Sequence, residues 1–129
     1  MLRLSFLSLL LCVFSVSAQT PSLSDPFDKT GVPLEADTDD RSLKKIVLLA
    51  GGPSSKPLGH EYFAGCALFA DWLRQTPGVH PVIAWDGWPV NEEIFKNASA
   101  VVFYMDGGAK IPFLEPKRWE IIRGLEAGG

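Results

Sequence analysis

The chain has 129 residues, with 12 Lys and Arg against 15 Asp and Glu, giving a formal charge of −3. A mild acidic excess without a basic stripe argues against a nucleic-acid partner. The cysteines are Cys12 and Cys66; once Cys12 is lost with a leader peptide, no internal disulfide is left to form, so packing must supply the stability.

Met1-Leu2-Arg3 precede an apolar run over 4–16, followed by Ser17-Ala18 and a polar turn at Gln19-Thr20-Pro21. A basic start, an apolar core and small residues at Ala18 and Val16 form the pattern of a secretory signal peptide over 1–18, cleaved after Ala18. The apolar run is shorter than the roughly 20 residues needed to cross a bilayer, so no stable membrane span is expected after cleavage. Leu9-Leu10-Leu11 lacks the small residues that should precede a lipidated Cys12. The expected location is periplasmic or secreted.

Residues 19–43 are rich in Pro, Ser and Asp without a sustained apolar period, and read as a linker or a strap across the domain surface. Ile46-Val47-Leu48-Leu49-Ala50 then form a continuous apolar run ended by Gly51-Gly52-Pro53. Such a run fits a central strand buried on both faces of a parallel sheet.

A helix is predicted over 60–74, with Tyr62, Cys66, Phe69, Ala70 and Leu73 on its inner face and Thr76-Pro77-Gly78 as its stop. Residues 81–85 predict a second strand, turned by Asp86-Gly87-Trp88-Pro89, and a brief helix is expected over 91–96. A third strand over 100–105 ends at Asp106-Gly107-Gly108, and 116–127 predict a helix with Pro116 in its first turn and Gly128-Gly129 at its exit.

Three strand–helix alternations point to right-handed crossovers and an open, three-layer parallel sheet with the first strand central. The domain portion, 44–129, has about 86 residues, below the usual range of roughly 100–150. It is expected to be the first half of a doubly wound domain, marginally stable alone because one sheet edge would lack neighbours.

In open α/β sheets a ligand binds outside the carboxyl ends of the strands. The candidates there are Gly51, Gly52 and Ser54 after the first strand, with His60 and Glu61 where the first helix begins. After the second strand come Asp86 and Trp88, and after the third Asp106, Gly107 and Gly108. Glycine amides approach a ligand closely, and a carboxylate between Trp85 and Trp88 suits sugar recognition by stacking and hydrogen bonding. One of those tryptophans is expected in the core. The Asp106 carboxylate is expected to face Gly51-Gly52 across the crevice.

Residues 52–59 have neither the glycine spacing nor the Lys-Ser/Thr ending of a phosphate loop, and no dinucleotide fingerprint occurs. Cys66 lies inside the first helix rather than at a strand-to-helix elbow and reads as a core residue. His80 reads as a turn residue on the opposite edge, and the sequon Asn97-Ala98-Ser99 is given no role. No cofactor and no metal ligand set is assigned.

Lys45-Ile46-Val47-Leu48-Leu49-Ala50-Gly51-Gly52-Pro53-Ser54 and Gly59-His60-Glu61-Tyr62 with Ala64-Gly65-Cys66, joined by Asp86-Gly87-Trp88-Pro89 and Val102-Phe103-Tyr104-Met105-Asp106-Gly107-Gly108, carry a family signal. The set resembles the amino-terminal half of the ThuA-like (trehalose-utilisation) family of the class I glutamine amidotransferase-like superfamily. The resemblance implies a flavodoxin-like sheet, export and an association with carbohydrate utilisation, without the Cys, His and Glu of glutamine-hydrolysing relatives. It also implies histidines after the first-loop serine and after the glycines of the third strand; this chain has Ser55 and Ala109-Lys110-Ile111 there.

The leading expectation is an exported protein binding a sugar or sugar derivative at the carboxyl edge of the sheet, with no recognisable catalytic triad. The alternatives are a noncatalytic interaction or structural module of an exported complex, or a fragment of an amidotransferase-like hydrolase whose nucleophile lies beyond Gly129.

Overall fold

A computed structural model of the chain describes residues 30–53, 59–106 and 115–127. The expected signal peptide and the first part of the linker lie outside the described residues, as do Ser54, Gly107, Gly108 and the terminal glycines. Among the described residues no helix is long and apolar enough to cross a membrane.

Strand β1, Lys44–Ala50, has Val47, Leu48, Leu49 and Ala50 fully buried. Its neighbours are β2, Val79–Ala84, and β3, Ala98–Tyr104, both parallel to it, in the order β2-β1-β3. Val47 stands opposite Val82 on one side and Val101 on the other. A central strand has no solvated face, which is why β1 is apolar throughout rather than alternating.

Alternation along β1 divides the core into two layers. Val47 and Leu49 join Val82, Ala84, Trp88, Ile94, Phe95 and Ile122 on one face; Leu48 and Ala50 join Ile83, Tyr62, Phe63, Cys66 and Ala70 on the other. Helix α1, Tyr62–Arg74, covers the second face. The first is covered by a 3-10 turn, Glu92–Phe95, and by helix α2, Pro116–Glu126. Each buried leucine of β1 contributes about 1.5–3 kcal/mol.

All three strands start two residues earlier than the apolar runs indicate. Their first residues are polar or half-exposed and are held by backbone bonds, as where the Lys44 amide donates to the Gly78 carbonyl at 2.7 Å. Trp85 and Met105 correspondingly fall just past the strand ends. Pro81 is accommodated because β2 is an edge strand, where a missing N–H faces no partner.

Helix α1 begins at Tyr62 rather than at residue 60, so His60 precedes it and Glu61 is its N-cap, without a capping side-chain bond. No acidic residue occupies the first turn, which corrects the placing of Glu61 there. The inner face also differs: Phe63 is buried and Phe69 is exposed. Tyr62, Phe63, Cys66 and Ala70 form the stripe, rotated from the expected one by the approach of Trp85, whose ring meets Phe63 edge-on at 5.0 Å. Residues 91–96, expected as a helix, are a 3-10 turn over Glu92–Phe95, capped by Asn91 Oδ1 accepting the Glu93 amide at 3.1 Å.

The described part of the 19–43 segment is a strap rather than a free linker. Leu34 bridges Ile83 in parallel, and the Glu35 amide donates to the Ile83 carbonyl at 2.8 Å, covering the outer edge of β2. Lys45 Nζ, on a side chain that is almost wholly buried, meets Asp37 Oδ2 at 2.7 Å and fastens the strap to β1.

Candidate functional site

Parallel strands deliver their following loops to one end of the sheet. Gly51-Gly52-Pro53 after β1, Trp85-Asp86-Gly87-Trp88 after β2 and Met105-Asp106 after β3 therefore meet there, beside the start of α1. The Gly51 amide donates to the Tyr104 carbonyl at 2.9 Å, and the Gly87 amide to the Ala50 carbonyl at 2.8 Å. Both loops are thus tied to the sheet end.

Two glycines set the spacing. A Cβ on Gly51 would lie 2.7 Å from Met105 Cβ and 3.0 Å from Tyr62 Cδ2; one on Gly65 would lie 2.5 Å from Tyr104 Cε1. Their absence lets α1 and the end of β3 approach, so that the Tyr62 and Tyr104 rings stack edge to face at 5.3 Å.

A polar group of three stands on this aromatic pair. His60 Nδ1 lies 2.9 Å from the Tyr62 hydroxyl and 3.4 Å from both Asp106 carboxylate oxygens. The Tyr62 hydroxyl is also near enough to Asp106 for each group to shift the acidity of the other. Because a carboxylate only accepts, the contacts to Asp106 place a proton on His60 Nδ1, which the Tyr62 oxygen also approaches. Desolvation, then the Asp106 hydrogen bond and charge, push the Tyr62 phenol up to about 12. The same hydrogen bond holds Asp106 below the ordinary carboxylate range against desolvation, with the charge and hydrogen bond of His60 adding to it. Asp106 is therefore an anion at neutral pH, presented at the crevice mouth.

The structure brings His60 and Asp106 together from 46 positions apart. Asp106 answers His60 and Tyr62 rather than Gly51-Gly52, because Gly51 is occupied against Met105. Gly52 faces the other loop instead: its Cβ position lies 2.7 Å from Asp86 Oδ1. Glu61 contributes its carbonyl to the Gly65 amide at 2.9 Å.

Trp88 is the tryptophan that joins the core. Its Nε1 donates to Glu92 Oε1 at 2.9 Å, its ring packs on Phe95, and the Arg118 guanidinium lies 5.2 Å from its centre. Trp85 is the less buried of the two. Cys66 is buried, and burial pushes its thiol up to about 11, the opposite of an activated nucleophile. His80 sits at the far end of β2, where Nε2–H donates to the Ala36 carbonyl at 2.9 Å.

Tyr62 and Tyr104 are the site residues that sequence reasoning missed, one taken as helix core and the other as strand. The available signal was Gly65 within Ala64-Gly65-Cys66-Ala67, since a run of small residues on a helix marks close approach by a neighbour. Among the described residues no three His, Cys, Asp or Glu side chains converge as a metal centre requires.

Fold and site together define a small α/β protein with a parallel sheet in the 2-1-3 order of flavodoxin-like folds and a polar crevice at its carboxyl edge. Comparison with family models, with curated proteins and with solved structures gives no match to this chain.

Proposed function

We propose that the chain is an exported, ThuA-like domain protein that binds a sugar or sugar derivative at the carboxyl edge of its sheet. The observation that carries this reading is the His60–Tyr62–Asp106 group. It presents an anionic carboxylate, a phenol and an imidazole side by side at the rim where doubly wound sheets take their ligands. A carboxylate that accepts, beside a phenol and an imidazole N–H that donate, matches the paired donor and acceptor capacity of vicinal hydroxyls. With Cys66 inert and Asp106 held ionised, the arrangement serves recognition rather than acyl transfer.

Calorimetric titration with neutral mono- and disaccharides tests the reading. Saturable binding that falls about tenfold or more in Asp106→Asn supports it, since a hydrogen bond to a charged group contributes about 1.5–3 kcal/mol. Absence of saturable binding by the unaltered protein overturns it.

The second reading, a noncatalytic interaction module, is favoured by Leu68, Phe69 and Trp72, which leave an apolar outer face on α1 with Trp72 65% exposed. Failure of every sugar in the same titration would move the weight to this face.

A further inference from the structure

A cleft of about 580 Å³ opens on the β2 side of the crevice, within the size range of small-ligand sites. Its walls come from the strap at Glu35, from the loop carrying Trp85, Asp86 and Val90, and from Arg118 of α2. Two of its three charged groups are engaged within the protein. Glu35 accepts the Val90 amide at 2.7 Å and the Asn91 amide at 2.8 Å, one on each carboxylate oxygen. The Arg118 guanidinium meets Glu115 Oε1 at 3.0 Å and covers Trp88.

Asp86 is the third, and it differs. Its backbone is left-handed, φ 63°, like that of Glu35 at φ 50°, and is followed by Gly87 at φ 83°; what sets it apart is its carboxylate. Aspartate tolerates this region when its short side chain bonds locally, yet the Asp86 carboxylate makes no hydrogen bond or ion pair among the described residues. The side chain is exposed on the cleft wall, so its carboxylate oxygens are open to a ligand there. Gly52 is cut to the same purpose: its own φ is not left-handed, and what its missing Cβ makes room for is Asp86 Oδ1.

We propose that this cleft is a subsite for one ring of a neutral, unphosphorylated saccharide, with Asp86 accepting hydrogen bonds from ring hydroxyls and Trp85 supplying the apolar wall. The charges select the class. A phosphate ester entering here meets the Asp86 and Glu35 carboxylates, while the Arg118 cation is already paired with Glu115. The inference rests on the sugar-binding reading and extends it past Gly52, so that His60, Tyr62 and Asp106 form one lobe of the site and the strap-walled cleft the other.

The test uses the full chain, titrated by calorimetry and ligand-observed NMR with glucose, maltose, trehalose and glucose 6-phosphate. Two variants perturb the subsite without touching the core. Asp86→Gly relieves the left-handed strain, so its Tm should rise by roughly 2–5 °C. Gly52→Ala displaces only the flexible end of Asp86, so its Tm should hold. Both should weaken binding of the neutral sugars about tenfold or more, as loss of a charged hydrogen-bond acceptor requires. Wild-type affinity in either variant overturns the subsite, as does tighter binding of glucose 6-phosphate than of glucose. Binding that is lost in Asp106→Asn but intact in Asp86→Gly overturns the subsite and leaves the sugar-binding reading standing. No saturable binding by any of the sugars overturns both.

Discussion

The two ends of the sheet use similar polar residues in opposite ways. At the amino end Lys45 is paired with Asp37, His80 donates to the Ala36 carbonyl, and the Lys44 amide reaches Gly78. Each group has a partner within the fold, and the result is a fastened strap. At the carboxyl end the His60 and Asp106 side chains touch yet remain 57% and 67% exposed, and Asp86 holds a left-handed backbone with its carboxylate unengaged among the described residues. Polar groups that satisfy one another inside the protein mark structure; polar groups held in place with bonding capacity left over mark a site.

Breaking the amino end should have the largest effect on stability. Asp37→Ala leaves the Lys45 ammonium buried without its carboxylate. The expected cost is about 2–3 kcal/mol, below the roughly 3–5 of a fully buried pair because Asp37 is partly solvated. Desolvation works to raise the Asp37 pKa, but the hydrogen bonds from Lys45 and the Thr38 amide and the charge of Lys45 outweigh it, leaving it below 3.8. A carboxyl depressed on folding stabilises at pH above its unfolded pKa and loses that contribution as pH falls through the folded one. Urea midpoints should therefore separate wild type from Asp37→Ala at pH 7 and converge below about pH 4, near the ordinary carboxylate pKa.

At the carboxyl end the largest stability effect should come from spacing rather than charge. Gly51→Ala sets a methyl against Met105 Cβ and Cα at the end of β3, where backbone must move. Overpacking of this kind costs about 1–2 kcal/mol, and Tm should fall by roughly 4–16 °C. The edge-to-face contact of Tyr62 and Tyr104 should be disturbed with it, visible as a change in near-UV circular dichroism. An unaltered Tm and spectrum would show that the glycine is not what holds the two loops at their distance.

The contrast between the ends was only half legible in the sequence. The apolar run of β1 announces a central strand, and the rule that ligands sit beyond strand carboxyl ends brings His60 and Asp106 to one place without any structure. What escaped depends on contacts that no periodicity encodes. The strands start at Lys44, Val79 and Ala98 because backbone bonds, not apolar side chains, open them. Phe63 displaces Phe69 from the core because Trp85 approaches from the next loop, and a helical stripe one residue wider admits either. The strap could be read as a linker because its attachments, Leu34 and Glu35 on Ile83 and Asp37 on Lys45, are single contacts in a polar segment. Tyr62 hid in the helical stripe because its ring serves the core while its hydroxyl serves the site.

That double use gives the smallest and most specific test. Tyr62 should ionise near 12 rather than at the ordinary 10, first because of desolvation and second because Asp106 accepts its proton and repels the phenolate. In Asp106→Asn the desolvation stays while the negative charge goes, so the phenol should titrate lower than in wild type but still above 10. Spectrophotometric titration of the tyrosinate band resolves this, with Tyr62→Phe assigning the late transition. The substitution touches a mostly exposed side chain, so Tm should not move measurably. If both proteins titrate alike, Asp106 does not orient the phenol, and the polar group loses the link that makes it a site rather than three neighbouring surface residues.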